Sequence, residues 1–339
     1  MARATPEPER RVPDPGSRIP SPVPRQARDA LSSSKGGIDG VLVIDKPSGP
    51  TSHDVVSVAR RLTGIRKIGH TGTLDPLARG VLPLVLGRAT RLAQFFTRAD
   101  KEYEADLRLG ARTNTYDGTG AFIKTAGRRE PASLTLAEIE SALGEFRGTY
   151  LQPPPAFSAK KVSGTPAYRL ARRSEAVDLP PVTVTVDALD ILEWQEDRLR
   201  LRLVSSSGFY VRSLADSLGE RLGTGAYLEA LLRRRSGEFG LDAAVSLDDL
   251  ERCPVDALGR VIPLQDLLPE LPAVVLTPEG AARASRGVVI GLRHLAGGQT
   301  LPVAGQVRLL HPDRRLLAIA QPLADEGASS LLHPGIVLE

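Results

Sequence analysis

The spacing of apolar residues predicts a strand followed by a helix where patterned sequence begins. Residues 41–44 (Val-Leu-Val-Ile) are all apolar and mostly β-branched, which is typical of a buried strand. After a turn rich in Pro and Gly, Thr51 or Ser52 can cap a helix that Gly64 would end. The apolar face of this helix is formed by Val55, Val58, Ala59 and Leu62.

Three later segments have strand character, residues 103–109, 182–186 and 198–204. The last of them alternates most clearly, with leucines on one face and arginines on the other. Those arginines are Arg198, Arg200 and Arg202. Such a row is either solvated charge or a set of contacts to a phosphate backbone, and the sequence leaves both readings open.

Two further helices are predicted. Thr135 and Glu138 have the spacing of a capping box in front of a helix that ends near Gly144. A later helix would begin near Arg212, place a leucine inward at every fourth position, and end at Gly223.

The order of these elements favours an α+β fold with a mixed, largely antiparallel central sheet flanked by helices, because strands and helices interleave without the regular rhythm of a parallel sheet. Residues 1–36 are rich in Pro and Arg and poor in apolar residues, which predicts a disordered tail. Residues 37–268 would form the main domain. Beyond about Pro269, short apolar stretches alternate with Gly and Pro, which predicts a small β-rich domain over residues 269–339.

Composition excludes several classes of protein. The 339 residues are 41% hydrophobic and 25% charged, so a sizeable core can form, and the formal charge of +4 is a weak sign of a polyanionic partner. No apolar run approaches the roughly 18 residues of a membrane span, and no apolar leader opens the chain, so we expect a cytoplasmic protein. The single cysteine, Cys253, excludes internal disulfides and is expected to be a small buried residue.

Motifs for nucleotide and metal binding are missing from the sequence. It contains no G-x-x-x-x-G-K-[ST] and no strand-linked G-x-G-x-x-G, so no nucleotide cofactor is expected. The five histidines show neither H-x-x-x-H nor H-E-x-x-H spacing, so no metal site is expected. No G-x-S-x-G marks a nucleophilic serine, although sequence alone leaves a Ser-His-Asp triad open.

The segment around Asp75 is the strongest candidate for chemistry. Gly69, Gly72 and Gly80 surround it, and closely spaced glycines allow a loop to approach a ligand with its backbone. Asp75 followed by Pro76 is also a good helix start, with Asp as the cap and Pro in the first turn. Spacing therefore leaves two roles open, a catalytic carboxylate and a helix cap.

Residues 69–78 (GHTGTLDPLA) resemble the signature of the bacterial TruB-type tRNA pseudouridine synthases. Further motifs resemble that family in the same order, namely residues 40–47 (GVLVIDKP), 101–103 (KEY) and 207–214 (SGFYVRSL), with Leu231 at the place of a pocket leucine. The resemblance covers about residues 38–268. It departs from the family at Tyr227, where a histidine is expected, and at Leu232, where the family often has an arginine, and both departures weaken the Leu231 assignment. It implies the pseudouridine synthase fold with a C-terminal PUA-like RNA-binding domain.

The resemblance also implies roles for individual residues. Asp75 would be the catalytic nucleophile, and Arg212 would pair with it, since a carboxylate nucleophile is best kept ionised by a cationic neighbour. The alternative for Arg212 is a surface charge at a helix end. Tyr103 would stack on the target base, and its hydroxyl could assist proton transfer at C5. The alternative for Tyr103 is a strand aromatic that faces the core.

Four more substrate-binding residues follow from the resemblance. Tyr210 and Leu231 would line the pocket, with a plain core position as the alternative for Tyr210. His70 would contact the RNA and fill the space that the flipped base leaves, or else cap a loop as a neutral imidazole. Lys46 would be a buried or phosphate-facing cation near the site.

The implied reaction converts uridine-55 in the T loop of tRNA to pseudouridine on a base that has left its stack. It is an isomerisation, so no cofactor is expected, and a monomer acting on the T arm without a membrane is expected as well. Attack by Asp75 at C6 of the base or at C1′ of the ribose stays open. The alternatives are an RNA-binding or RNA-remodelling protein, against which the intact Asp75, Tyr103 and Arg212 argue, and a guided enzyme acting on ribosomal RNA.

Other basic residues are candidates for contacts to the RNA backbone, and such contacts should weaken with salt. They are the three arginines of residues 198–202 and the cluster Lys160, Lys161, Arg169, Arg172 and Arg173. The arginines of the tail are either such contacts or part of a solvated extension.

Overall fold

The computed structural model describes residues 37–123, 129–158, 160–162, 164–171, 173, 179–302, 304–323 and 331–338. The predicted tail, Arg172 and the side chain of Lys161 lie outside this description. The strands are β1 (Gly40–Lys46), β2 (Ile68–His70), β3 (Arg79–Leu86), β4 (Lys101–Leu109), β5 (Arg112–Thr113), β6 (Phe122–Ile123), β7 (Gly148–Gln152), β8 (Lys161–Val162), β9 (Thr165–Pro166), β10 (Val182–Gln195), β11 (Arg198–Ser205), β12 (Ala226–Ser236), β13 (Phe239–Gly240), β14 (Val245–Ser246), β15 (Ile262–Pro263), β16 (Ala273–Val275), β17 (Val307–Leu310), β18 (Leu316–Leu323) and β19 (Leu331–Val337). The α-helices are α1 (Ser52–Thr63), α2 (Ala93–Arg98), α3 (Leu136–Gly144), α4 (Ala167–Ala171), α5 (Val211–Leu222), α6 (Leu247–Arg252), α7 (Pro254–Leu258) and α8 (Pro278–Ala284).

One large sheet organises the described part of the main domain. It has 11 strands, and its main order is β14-β1-β3-β12-β4-β11-β10-β7, with the short strands β2, β13 and β15 paired to β3, β12 and β1. Neighbouring strands are antiparallel except for the pairs β1–β14 and β3–β12. The predicted α+β class with a mixed, largely antiparallel sheet is therefore confirmed.

Local sequence signals define the helices that cover this sheet. Thr51 and Asp54 form a capping box at the start of α1, and Gly64 ends that helix in the left-handed conformation at φ 73°. A second capping box, from Thr135 and Glu138, opens α3. Helix α5 ends at Gly223, and its inward leucines lie in the same buried cluster as the inner face of the sheet. These three predicted helices are confirmed.

The arginine row of β11 lies on the outer face of the sheet and is matched by carboxylates. Arg200 pairs with Glu104 at 2.6 Å, and Arg202 pairs with Glu102 at 2.8 Å. Both carboxylates belong to β4, the neighbouring strand. The outer face therefore carries interleaved charges of both signs, as expected for a solvated sheet surface.

The predicted C-terminal β-rich region forms a separate four-stranded sheet in the order β16-β17-β18-β19. Alternate residues of β1 point to two cores, because Leu42 and Ile44 pack beneath α1 while Val41 and Val43 belong to a second cluster. That second cluster also contains Leu310, Leu316 and Ile319 of the C-terminal sheet, and Leu338, which directly follows its last strand. The two sheets thus share a hydrophobic core.

The composition led to expectations about Cys253 and about membrane-spanning segments. Cys253 is exposed, so the expectation of a buried cysteine is wrong. Its position between α6 and α7 places it at a surface junction of two short helices. Among the helices described, none is long and apolar enough to cross a membrane.

Candidate active site

Asp75 lies in a turn that leads directly into β3. Its carbonyl oxygen accepts a hydrogen bond from the Ala78 amide at 3.0 Å, and the strand begins at Arg79. Pro76 therefore occupies the second position of a tight turn, which its fixed φ suits. The alternative role of Asp75 as the cap of a following helix is wrong, because no helix follows it.

Lys46 supports this turn from the end of β1. Its ammonium group donates to the carbonyl oxygens of Ala78 at 2.7 Å, Pro47 at 2.8 Å and Pro76 at 3.4 Å. The side chain is fully buried, and this burial lowers the pKa of Lys46 to about 8 although the nearby Asp75 carboxylate opposes the shift. The structure places Lys46 beneath the turn, where its donors are taken by backbone oxygens.

The first residue of α1 and the loop before it hold the same turn at two more points. The buried hydroxyl of Ser52 accepts from the Leu74 amide at 2.8 Å and lies 3.1 Å from the Leu74 carbonyl oxygen, to which it donates. The Gly49 amide donates to Pro76 at 2.8 Å. Asp75 is thus fixed through its neighbours on both sides, and none of these contacts uses its own carboxylate.

Arg212 joins Asp75 to two other segments of the chain. Its Nε donates to Oδ2 of Asp75 at 2.8 Å, Nη1 donates to the Thr115 carbonyl at 3.2 Å, and Nη2 donates to the Phe157 carbonyl at 3.0 Å. The Arg212 side chain is 5% exposed, whereas that of Asp75 is 36% exposed. The charge-assisted bond orients the carboxylate, and the accessible part of that carboxylate faces the neighbouring cavity.

A cavity of about 460 Å³ brings together most of the residues singled out from the sequence. Its lining includes Asp75, Tyr103, Tyr210, Arg212 and Leu231. Tyr103 and Leu231 reach it from the inner faces of β4 and β12, and Tyr210 lies directly before α5. A cavity of this size and mixed lining suits a single nucleoside.

His70 lies at the end of β2, outside the described lining of this cavity. Its Nδ1 accepts a hydrogen bond from the Gly72 amide at 3.4 Å, which matches the loop-capping alternative. Burial, assisted by the positive charge of Arg233, lowers the pKa of His70, so its imidazole is neutral at pH 7. Its contact with RNA stays a prediction.

Asp117 is a site residue that the sequence analysis missed. It is buried, and Oδ2 lies 3.8 Å from Nε of Arg212. Its Oδ1 accepts hydrogen bonds from the side chains of Thr115 at 2.8 Å and Thr119 at 2.6 Å. The threonines that flank it at two-residue spacing were the available signal, since such residues stabilise a turn around an aspartate.

Arg233 is a second site residue that the sequence analysis did not single out, and it is 1% exposed and lines the cavity. Its Nε donates to the Val81 carbonyl at 2.7 Å and Nη2 donates to the Gly72 carbonyl at 3.0 Å. Gly72 has φ 143°, and an added Cβ would lie 3.4 Å from Nη1 of Arg233. Arg233 thus fastens the Asp75 loop to β3 and β12, and the glycine allows the close approach.

Gln152 is the third residue that the sequence analysis missed. Its buried side-chain amide accepts from the Tyr210 amide at 2.8 Å and donates to the Tyr210 carbonyl at 3.0 Å. These two hydrogen bonds to the backbone of Tyr210 fix the N-terminus of α5 and, with it, the positions of Tyr210 and Arg212. No local pattern marks Gln152, because its partner is 58 residues away.

Comparisons with known proteins agree with this arrangement. A family model described as TruB family pseudouridylate synthase (N terminal domain) matches residues 60–211. A tRNA pseudouridine synthase B of Solibacter usitatus is 48% identical over 252 residues, which are 74% of this chain and 85% of that protein. The corresponding protein of Burkholderia mallei is 41% identical over 305 residues, covering 90% of this chain and 94% of that protein.

The fold is also similar to solved structures. A crystal structure of a Cbf5-Nop10-Gar1 complex matches with a TM-score of 0.67 at 25% identity, over 96% of this chain and 91% of the matched chain. A structure of an H/ACA RNP bound to a substrate RNA that contains 2′-deoxyuridine has the same fold, with a TM-score of 0.67 at 24% identity over 88% of this chain and 85% of the other. On the strength of the sequence relatives, the chain belongs to the TruB family of pseudouridylate synthases.

Proposed function

We propose that this chain converts uridine-55 in the T loop of tRNA to pseudouridine, with Asp75 as the nucleophile. The observation that carries the proposal is the 2.8 Å ion pair between Asp75 and Arg212, which lie 137 residues apart in the sequence and meet at the wall of a nucleoside-sized cavity. The relatives of Solibacter usitatus and Burkholderia mallei bear the name tRNA pseudouridine synthase B, which supports tRNA as the substrate.

The reaction is an isomerisation in which atoms balance within one nucleotide. The N1–C1′ bond breaks, the uracil turns, and a C5–C1′ bond forms, while C5 loses a proton and N1 gains one. Arg212 holds one oxygen of Asp75, so the other oxygen is the one available for attack. Attack at C6 of the base and attack at C1′ of the ribose both require the carboxylate at this wall of the cavity.

The remaining walls suit a flipped base. Tyr103 offers an aromatic face for stacking, and its hydroxyl is our candidate for assisting proton transfer at C5. Leu231 and Tyr210 provide contacts that exclude water, and burial raises the pKa of Tyr210, so its hydroxyl stays protonated at neutral pH. We propose that His70, beside the cavity, contacts the RNA from which the base was flipped.

The T arm is our proposed recognition element, because the target base must be splayed out of folded RNA for the chemistry to occur. We further propose that the chain acts as a monomer in the cytoplasm. Residues 37–268 would form the catalytic domain, and residues 269–339 a PUA-like domain that contributes RNA contacts.

An unmodified tRNA transcript, incubated with the full chain and no guide RNA, tests this proposal. Pseudouridine is mapped by carbodiimide adducts that stop primer extension. We expect one stop, at uridine-55, and no stop in a transcript that carries cytidine there. A stop elsewhere would contradict the T-loop assignment. Activity that appears only with a guide RNA and partner proteins would support the guided alternative instead.

A further inference from the structure

Helix α5 presents a second charged residue one turn after Arg212. Asp216 follows it at i+4, on the same face of the helix. Its carboxylate is 9% exposed and binds Arg112 through both oxygens, Oδ1 to Nε at 2.8 Å and Oδ2 to Nη2 at 2.8 Å. Burial raises the pKa of Asp216, and the hydrogen bonds from Arg112 oppose that shift. This bidentate geometry is the most directional that an Arg–carboxylate pair can adopt.

Arg112 is the first residue of a segment, residues 112–120, that also contacts Arg212. Within residues 112–120, the Thr115 carbonyl accepts from Nη1 of Arg212 at 3.2 Å, and Asp117 Oδ2 lies 3.8 Å from Nε. The hydroxyl of Thr113, which is buried, donates to the Asp117 carbonyl at 2.7 Å. The loop and the helix are therefore connected by two crossed contacts, Arg112 with Asp216 and Arg212 with Thr115 and Asp117.

Neither Arg112 nor Asp216 belongs to the described lining of the cavity, so neither is placed to touch a bound nucleoside. Their effect on the reaction must pass through the loop. If the loop moved away from α5, Arg212 would lose two of its neighbours, and its guanidinium could turn away from Asp75. A misplacement of about 1 Å in a catalytic group can cost about 100-fold in rate.

We propose that Arg112 and Asp216 form a positioning pair, which clamps residues 112–120 to α5 and thereby aims Arg212 at Asp75. The inference rests on the proposed function of Asp75 and Arg212. The pair acts on the orientation of Arg212, so it should affect the chemical step much more than it affects the affinity for RNA.

The test compares Arg112→Met, Asp216→Asn and the double variant, each in the full chain. Single-turnover rates of pseudouridine formation, the Kd for a T-arm RNA and the thermal midpoint are measured for each. The matched control pair is Arg108 and Glu229, which are 2.9 Å apart and partly exposed on the outer face of the sheet. Arg108→Met and Glu229→Gln remove a similar contact far from Arg212.

We expect each single variant of the positioning pair to react about 10- to 100-fold more slowly, with Kd changed less than about 3-fold. The double variant should be no slower than the slower single variant, because the two residues act as one unit. Arg112→Lys keeps the charge and loses the bidentate hydrogen bonding, so its rate should lie between those of the wild type and Arg112→Met. This variant provides the test if Arg112→Met folds poorly. The control variants should react like the wild type.

Single-turnover rates within about 2-fold of the wild type in folded Arg112→Lys and Asp216→Asn would overturn the proposal. Losses in rate that are fully accounted for by a smaller fraction of folded protein would overturn it as well. An inactive wild type would instead count against the proposed function. An active wild type with an inactive Asp75→Asn variant keeps that function intact whatever the positioning pair does.

Discussion

Two groups of arginines in this chain differ in the exposure of their side chains and in the partners of their guanidinium groups. On the outer face of the sheet, the side chains of Arg198, Arg200 and Arg202 are 55%, 44% and 40% exposed and each meets a carboxylate. Around the cavity, Arg212 and Arg233 are 5% and 1% exposed and donate largely to backbone carbonyl oxygens. Exposed ion pairs contribute about 0–1 kcal/mol each, whereas a buried charge is costly unless it is fully hydrogen-bonded. The inner group therefore marks the candidate site, and the outer group forms a solvated, charge-paired surface.

The largest effect should come from Arg212. We expect Arg212→Met to lower the single-turnover rate by about 100- to 1,000-fold, because the carboxylate of Asp75 loses the donor that orients it. The affinity for T-arm RNA should change only a few-fold, since the buried guanidinium contacts the protein and not the backbone of the RNA. Rapid-quench kinetics and filter binding measure the two quantities. An Arg212→Met variant that binds RNA weakly but reacts at the wild-type rate when the RNA is saturated with enzyme would contradict this role of Arg212.

A smaller effect, mainly on stability, is expected at Lys46. In Lys46→Met three carbonyl oxygens lose a donor, and an unsatisfied buried acceptor costs about 1–3 kcal/mol. Urea unfolding monitored by circular dichroism should show a lower free energy of unfolding for Lys46→Met at neutral pH. The decrease is partly offset because the variant no longer has to bury a charged group. A free energy of unfolding equal to that of the wild type at every pH would contradict the supporting role.

The pH dependence at Lys46 has a definite sign. The pKa of Lys46 falls from 10.5 to about 8 on folding, so the unfolded chain binds more protons between these values. The contribution of Lys46 to the free energy of unfolding should therefore rise as the pH increases from about 8 to about 10.5, by up to about 1.4 kcal/mol per pH unit. The difference between wild type and Lys46→Met isolates this contribution, because Lys101, whose burial also lowers its pKa to about 8, is present in both.

The smallest effect should come from the outer group. We expect Arg200→Ala to change the free energy of unfolding by less than about 1 kcal/mol and to leave the rate unchanged. Because Glu104 already neutralises Arg200, the salt dependence of T-arm binding should keep the same slope. A shallower slope in Arg200→Ala would show that this face contacts the RNA backbone after all.

Periodicity was sufficient to predict the elements that bury one face. Helix α1, strand β11 and helix α5 follow their apolar spacing, and their ends follow from the cap at Thr51 and the glycines at 64 and 223. Strand β12 was not predicted, because its inner face carries Arg233 and its register shifts twice against β4. A buried arginine breaks the apolar pattern on which strand prediction depends.

The candidate site was only partly predictable, for a related reason. Motif resemblance pointed to Asp75, Tyr103 and Arg212, whose residue types the chemistry requires. Gln152 acts through a partner that is distant in sequence, so no local pattern reveals it, and for Asp117 the flanking threonines indicate a turn but not the contact with Arg212. Spacing even misled at Asp75, since Asp-Pro suits a helix start and a tight turn equally well, and the strand that follows decides between them.

The most direct test of the account is tritium release from a T-arm RNA that carries 5-tritiated uridine, comparing the wild type with Asp75→Asn. The hydrogen at C5 is lost only when the new carbon–carbon bond forms. We predict release by the wild type, none by the variant, and T-arm affinities that agree within a few-fold. Release by Asp75→Asn at the wild-type rate, or no release by a folded wild type that binds the RNA, would contradict the central claim.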